Sequence, residues 1–561
     1  MHQPEVLDAA VVRAWARTTV EALAAARAEL DRVNVFPVAD GDTGTNMYLT
    51  ARDAAAAVRA APEATSGARL LRLAARAALL GARGNSGVIL SEWLRGLTVA
   101  ATRGDSLAIA LDVAARTARQ AVAHPAPGTI LTAAESAAAA ARHVEAGGMV
   151  GPPGAPARLS VTDAACRGAR EAALRSVGAL EPLRAAGVLD AGACGLVLVL
   201  EALAVAQRGA AEGASEGDGS MTPVLLDMDL RGHGGPVPAD TGAHEAHAAD
   251  GSGAVAADDV ELMFVLERSA SAVGFRPGAV ADALRADLDD VGSSVVVVGG
   301  GDDGGDADAQ RSLWQAHVHT SDLDAALDVA RRWASRGAVS RVFVRHLAVP
   351  PDRWAVVVST SAPALAAELA RGGAVVVLDL DVRPTAEDLG AAALGAGAPR
   401  VLVLAPEALL PELRGPGLLS AGGEASGEAS GGVPEVVPLA APADAHLVAG
   451  TSALAAALDE GADDAEVPAL VGAVVAGLRV ATGPAVTVGA IVKRLVAGSP
   501  TAIVTLLPDD GVPEATTQML AARAAQVSGG ADVVVMRTGR PGDRVAIGVE
   551  PFAEDGAEAG R

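Results

Sequence analysis

Lysine is almost absent: Lys493 is the only one in 561 residues, and it stands far from any glycine-rich loop. P-loop enzymes and protein kinases both set a lysine ammonium against the nucleotide phosphates, so neither arrangement can be built from this chain. Aromatic residues are scarce too, 2% of a chain that is 50% hydrophobic, so the cores have to be packed from Ala, Val and Leu. Two cysteines, Cys166 and Cys194, are too few for a disulfide framework and read as buried small hydrophobes. The N-terminus lacks the basic and then apolar pattern of a secretory signal. Apolar runs such as Gly195 to Leu200 are cut by charge, here Glu201, before the roughly 18 residues of a bilayer span. A cytoplasmic protein without a membrane span is expected. Positive charge is outnumbered, 44 Lys plus Arg against 68 Asp plus Glu, and the net charge of -24 repels a phosphate backbone. Nucleic acid is excluded as the main partner, whereas a nucleotide pocket is not.

At about 150 residues per domain the length allows three or four folding units. Residues 1–208 read as successive helices, with apolar residues three and four apart in Val11 to Leu30, Thr50 to Ala61, Ala68 to Leu80 and Val88 to Ala101. Residues 209–258 are rich in Gly, Ala, Ser, Asp and His and read as a flexible linker. Strand-like runs then alternate with helices, which predicts a middle α/β domain over 259–348 and a C-terminal α/β domain over 349–561. Within the latter, Gly415 to Gly432 has the composition of a disordered loop. The fold class is thus an all-α N-terminal domain followed by two α/β domains.

The strongest local pattern runs from Asn34 to Asn46, Asn-Val-Phe-Pro-Val-Ala-Asp-Gly-Asp-Thr-Gly-Thr-Asn, between two helices. Asp40 and Asp42 can converge on a hard cation because Gly41 lets the backbone turn tightly, and Thr43, Thr45 and Asn46 add neutral oxygens. The same residues also suit a solvated turn with Thr43 or Thr45 capping the next helix. An EF-hand fits worse, since Gly44 and Ala51 stand where that loop needs acidic or amide ligands. Mg²⁺ held jointly with phosphates fits better. A second pattern, Gly81-Ala82-Arg83-Gly84-Asn85-Ser86-Gly87, precedes the helix expected from Val88 and offers backbone N–H groups and the Ser86 hydroxyl to an anion. A plain helix-to-helix turn is the alternative. Two further turns, Pro127 to Thr132 and Asp190 to Gly195, also precede helices.

Taken together and in this order, the metal-type loop, Gly81 to Ser91, Gly128 to Thr132 and Gly187 to Gly192 resemble the bacterial fatty acid kinase ATP-binding subunit. Its N-terminal domain is similar to the nucleotide-binding L subunit of dihydroxyacetone kinase. The resemblance covers residues 8 to 206 and continues more loosely beyond. It implies an all-α helical barrel whose loops at one end hold ATP through Mg²⁺ without a Walker lysine. Carried over by position, Asp40 and Asp42 are the metal ligands and the catalytic carboxylates. Asn34 lies near another metal-binding Asp of the dihydroxyacetone kinase subunit, with a different spacing and residue type. Thr43 and Asn46 support metal or phosphates, Gly84, Ser86 and Gly87 bind phosphate, and Thr129, Asp190 and Gly192 line the nucleotide pocket. Arg83 either steadies developing negative charge or is an exposed structural residue.

In the middle domain His317 and His319 alternate on a predicted strand and share a face, as a Zn²⁺ pair would. In some relatives a cysteine near the start of this domain completes the site. Here the stretch reads Val260-Glu261-Leu262-Met263, which leaves Glu261 as the oxygen ligand. Two strand histidines with ordinary hydrogen bonds are the alternative. The acceptor implied by the resemblance is the carboxylate of a fatty acid presented by a separate fatty-acid-binding protein, giving an acyl phosphate. A carboxylate is ionised at neutral pH and needs no strong base, in keeping with the lack of a histidine beside the metal loop. A dihydroxyacetone-type kinase and a non-catalytic nucleotide-binding scaffold are the rivals. The C-terminal domain is the region implied to meet the partner, although Asp379 to Pro384 departs from the glycine-rich stretch of relatives, and a homodimer is compatible with the sequence.

Overall fold

The computed structural model describes residues 7–147, 157–212, 259–269, 277–300, 311–347, 353–415, 434–497 and 501–551. Residues 213–258 of the linker expected over 209–258, and 416–432 of the loop expected over 415–432, lie outside them. The first part is helical: α1 (Ala9–Arg32), α2 (Thr43–Ala60), α3 (Gly67–Gly81), α4 (Gly84–Thr102), α5 (Leu107–Ala121), α6 (Ile130–Glu145), α7 (Ala157–Ser176), the short α8 (Glu181–Ala186) and α9 (Ala191–Glu212). Side-chain caps start several of them, Ser66 accepting from Arg69 N and Ser106 from Ile109 N. Each long helix from α1 to α7 packs on the next, and α9 closes the ring between α7 and α1. This is the barrel that the resemblance implied. The stretch Ala191–Ala210 has the length and apolarity of a membrane span, but it is mostly buried among its neighbours. Glu201 within it pairs with Arg170. α9 also runs four residues past 208, into the stretch read as linker.

Scarce aromatics have a direct consequence for packing. The largest buried rings of the barrel, Trp15 and Trp93, meet edge to face, with Trp15 Nε1 donating to Val199 O at 2.9 Å. Elsewhere small residues let helices approach closely. A methyl added at Gly168 of α7 would land inside contact distance of the Ser136 carbonyl on α6.

The second part builds two sheets. Its elements are β1 (Val260–Ser269), α10 (Pro277–Asp289), β2 (Ser293–Gly300), β3 (Arg311–Thr320), α11 (Leu323–Ala334), β4 (Ala338–His346), β5 (Trp354–Thr360), α12 (Pro363–Arg371), β6 (Ala374–Leu378), α13 (Ala386–Leu394), β7 (Arg400–Ala405), α14 (Leu410–Leu413), β8 (Glu435–Ala440), α15 (Asp444–Asp459), α16 (Val467–Gly477), β9 (Arg479–Pro484), α17 (Val488–Leu495), β10 (Thr501–Pro508), α18 (Glu514–Val527), β11 (Asp532–Val535) and β12 (Arg544–Pro551). The larger sheet has the order β2-β3-β1-β4-β6-β5-β7-β8, antiparallel from β2 through β6 and parallel from β6 to β8. The boundary drawn at 348/349 therefore falls inside one sheet, because β4 pairs with β6 across it. The smaller sheet, β11-β10-β12-β9, has its own core around Val504, Leu506 and Ile547.

Strand alternation decides what faces the barrel. Met263, Val265, Val296, Val298 and Leu313 join the barrel core, while Leu262, Phe264, Val297, Trp314, Ala316 and Val318 bury themselves in the core on the opposite face of the sheet. Glu261, Gln315, His317, His319, Arg341 and Arg345 have the parity of the first set and so point to the barrel. Gln315 Nε2 donates to Ala82 O at 3.1 Å and Arg341 to Leu80 O at 3.0 Å, fixing the sheet on the α3–α4 turn.

Close helix approach predicts opposite outcomes at two glycines. Gly168→Ala must separate α6 from α7 and should cost about 1 to 3 kcal/mol, lowering the melting temperature. Gly209→Ala, in α9 with open space around its Cβ, should leave it unchanged or raise it.

Candidate functional site

Helix α2 begins at Thr43, seven residues before the apolar pattern suggests, because its first turn is held from outside. Asp31 at the end of α1 accepts from Thr45 N at 2.9 Å and from Thr45 Oγ1 at 2.7 Å, and Arg27 donates to the same hydroxyl at 2.8 Å. Burial pushes the Asp31 carboxyl above its usual range. The neighbouring Gly41 has φ +65°, the left-handed turn that sets Asp40 and Asp42 side by side.

Around these carboxylates the predicted residues form one hydrogen-bonded network. Asn34 Nδ2 donates to Asp40 Oδ1 at 2.7 Å and Asn46 Nδ2 to Asp42 Oδ1 at 2.7 Å. Thr43 Oγ1 donates to Asn34 Oδ1 at 3.0 Å and lies 3.2 Å from Ser86 Oγ. Helix α4 starts at Gly84 rather than Val88, so Ser86 and Gly87 belong to its first turn. Both glycines are there for close approach: a Cβ on Gly84, whose φ is +49°, would strike Asn46 Nδ2, and one on Gly87 would strike Thr50 Oγ1. The metal-type loop and the glycine-rich turn are thus parts of one site.

The second group lies where α6 and α9 begin. Thr129 caps α6, and Asp190 accepts from Ala193 N at 2.7 Å while its own N–H donates to Ser176 Oγ at 2.8 Å. The Ile130 N–H also reaches Asp190, and Gly192 sits against Ile130. Val33, next to Asn34, packs with Leu183, Val188 and Ala191, which ties this group to the metal-type loop. Burial raises the Asp190 carboxyl to about 7.

The decisive residue was not among the expected ones. Arg345, at the end of β4, reaches across from the sheet to the barrel loop, its Nη2 2.5 Å from Asp42 Oδ2 and 3.6 Å from Asp40 Oδ2, while its Nε bonds Glu261. Glu261 lies between Arg345 on β4 and His319 on β3 in the sheet register. Burial works against the Arg345 charge, yet Glu261, Asp42 and Asp40 hold the guanidinium firmly protonated. Burial and the Asp42 charge push Asp40 well above the ordinary carboxylate range. Burial also disfavours the Glu261 charge, but Arg345 and His317 overcome it and hold that carboxyl low.

His317, His319 and Glu261 are all buried, with ligand atoms within 4.8 Å of one another. His317 Nδ1 is 3.0 Å from Glu261 Oε1 but out of hydrogen-bond alignment, so neither these atoms nor His317 Nε2 has a hydrogen-bond partner among the described residues. Burial and the His317 charge lower His319 to about 3, which keeps it neutral. Two imidazoles and a carboxylate with orphaned atoms are a donor set that fits a divalent transition metal.

Arg83 is a structural residue but not an exposed one: half-buried, it donates to the carbonyls of Gly81 and Ala391 and is lowered to about 10 by burial, so it ties the barrel to α13. Burial likewise raises the thiols of Cys194 and of Cys166, the latter to about 12. Between the loop and the parallel half of the sheet lies a cavity of about 160 Å³, lined by Asp40, Asp42, Arg345, Gly373 and Gly395 among others. That is below the roughly 300–1,000 Å³ of small-molecule sites.

Residues 37–205 match the family described as the DAK2 domain. The chain is 28% identical over 315 residues to Protein YloV of Bacillus subtilis (strain 168), which covers 54% of this chain and 49% of that protein. It is 35% identical over 185 residues to an uncharacterized protein of Staphylococcus aureus (strain bovine RF122 / ET3-1), covering 32% of each. An uncharacterized protein of Staphylococcus haemolyticus (strain JCSC1435) is 36% identical over 179 residues, 31% of each. The chain thus spans about half the length of the first relative and about a third of the other two. Among solved structures, dihydroxyacetone kinase from C. freundii in complex with AMP-PNP and Mg²⁺ matches 35% of this chain and 34% of that one at 22% identity, with a TM-score of 0.28.

The state of Asp190 gives a pH prediction. A carboxyl raised to about 7 when folded binds protons that the unfolded chain has released, so stability falls as pH rises from about 4 through 7. Asp190→Asn keeps the helix cap but cannot ionise. Relative to wild type it should gain roughly 2 kcal/mol between pH 5 and pH 8, read from denaturant unfolding at the two pH values.

Proposed function

We propose that the chain is an ATP-dependent phosphotransferase acting at the Asp40–Asp42 loop, and that its acceptor is a fatty acid carboxylate presented by a separate fatty-acid-binding protein. The observation that carries this reading is the convergence of Asn34, Asp40, Asp42, Thr43, Asn46 and Ser86 on one network, all of them but Asn34 inside the DAK2-matched segment. Asp40 and Asp42 would hold Mg²⁺, with the amide and hydroxyl oxygens of Asn34, Thr43 and Asn46 close by. Bound there, the ion supplies charge neutralisation for the phosphate oxygens. The first turn of α4 offers its N–H groups and Ser86 to phosphate, and Thr129, Asp190 and Gly192 are the candidates for the rest of the nucleotide. An ionised acceptor oxygen attacks the terminal phosphorus as the bond to the bridging oxygen breaks, giving acyl phosphate and ADP. No proton has to be removed from the acceptor, and the network contains no imidazole to remove one.

For the His317–His319–Glu261 cluster we propose a structural Zn²⁺, which would brace β1 against β3 beside Arg345. Its orphaned buried atoms support this reading over two ordinary strand histidines.

Two measurements test these readings. With Mg²⁺, ATP and a loaded fatty-acid-binding protein, wild type should form acyl phosphate trapped by hydroxylamine, and Asp40→Ala and Asp42→Ala should lower the rate at least about 100-fold. Tight Mg²⁺-dependent nucleotide binding with no turnover on any acceptor would instead leave a nucleotide-binding scaffold, and turnover on a hydroxyl acceptor a dihydroxyacetone-type kinase. Elemental analysis of purified protein should find about one zinc per chain, absent from His317→Ala. A metal-free wild type that is as stable as the zinc-loaded form would remove the zinc assignment.

A further inference from the structure

Every carboxylate oxygen of the Asp40–Asp42 pair already faces an N–H donor. Asn34 takes one Asp40 oxygen and Asn46 one Asp42 oxygen, and the two that remain face Arg345. The amides sit on the barrel itself, within a few residues of the carboxylates. Arg345 comes from 303 residues away and is the one full positive charge in the network. Its position is also tethered, because Glu261 on the adjacent strand holds Nε independently of the barrel. A cation bound between Asp40 and Asp42 and the Arg345 guanidinium compete for the same two oxygens, and they repel each other at that range.

We propose that Arg345 is a resident cation of the Asp40–Asp42 loop which a divalent metal must displace, and that the nucleotide phosphates supply the anion to which its freed N–H groups pass. The second half rests on the phosphotransferase reading above. A metal arriving alone strips Arg345 of Asp42 and leaves the guanidinium beside a second positive charge with only Glu261 as partner. A metal arriving with a nucleotide brings phosphate oxygens within reach of the same tethered group. Metal and nucleotide therefore bind synergistically, and Arg345 is the positioning residue that makes the pair preferred over the bare ion. It also supplies the tethered positive charge that a P-loop lysine provides elsewhere and that this lysine-free barrel lacks.

The test uses Mn²⁺ as the probe, titrated into the full chain and followed by electron paramagnetic resonance, with and without AMP-PNP. Arg345→Gln should bind Mn²⁺ alone about 10-fold tighter than wild type, and the enhancement of Mn²⁺ affinity by AMP-PNP should shrink by a similar factor. A merely structural brace would move neither quantity in that direction. Unchanged or weaker Mn²⁺ binding in a variant with normal melting overturns the proposal. A direct measurement on wild type needs no variant to fold: phenylglyoxal labelling of Arg345, read by mass spectrometry, should be slow without metal, faster with Mn²⁺ and slow again with Mn²⁺ and AMP-PNP. Labelling indifferent to Mn²⁺ overturns the proposal as well. Arg345 that responds to Mn²⁺ in a protein that makes no acyl phosphate removes the phosphotransferase reading and leaves the displacement standing. Acyl phosphate formation with an unresponsive Arg345 does the reverse.

Discussion

Three carboxylates, Asp40, Asp42 and Glu261, share a single guanidinium, and the organisation of the molecule follows from that imbalance. Two of the acids belong to the barrel and the third to the sheet, so the one cation that partly balances them also joins the two halves. One arginine against three acids leaves negative charge in a largely buried place, and the Asp40 carboxyl is pushed up there, first by burial and then by the Asp42 charge. The surplus is what a divalent ion would neutralise. A site assembled only to hold the halves together would pair its charges one to one, as Arg170 and Glu201 do inside the barrel.

Most of the fold was legible in local pattern, and the exceptions have physical causes. The four helical periodicities each fall inside an observed helix or end one residue beyond it. The starts of α2 and α4 were hidden because neither is set locally. α2 is capped by Asp31 from the preceding helix, and α4 begins through Gly84 and Gly87, poor helix formers that earn their place by letting Asn46 and Thr50 come close. β8 and β9 carry little local strand signal because both are half-exposed edge strands that contain proline, Pro438 and Pro484. The division at 348/349 failed on a different ground: pairing between β4 and β6 is a long-range register, and composition carries no trace of it.

The candidate site divides in the same way. Asp40, Asp42, Thr43 and Asn46 lie within seven consecutive residues, so their spacing suggested convergence, whereas Asn34 entered only through the resemblance and Ser86 through a separate glycine-rich pattern that the fold brings to Thr43. Arg345 could not be found so, because its distance from Asp42 is fixed by strand register and by how the sheet sits on the barrel. One signal was nevertheless present. Glu261, Gln315, His317, His319, Arg341 and Arg345 interrupt the mid-strand apolar pattern at positions that share one parity. Polar residues on one face of an otherwise apolar sheet mark the face that meets something other than a plain core.

How the site opens is constrained by what else lies on that face. The cavity beside Arg345 is too small for a nucleotide, so on the proposed phosphotransferase reading space would have to be made. Swinging the sheet away from the barrel would expose Met263, Val265, Val296, Val298 and Leu313, five buried side chains at about 1.5 to 3 kcal/mol each. Turning Arg345 away from Asp42 exposes no comparable apolar surface and breaks one close ion pair and one longer contact, whose attraction the incoming metal and phosphate replace. The cheaper motion is the side chain's. On that reading the apolar dock on β1 to β3 would stay closed while the polar corner at the end of β4 rearranged, and the division of labour would follow the strand alternation: apolar residues of the barrel-facing parity hold the halves together, and the charged residues of the same parity would exchange partners.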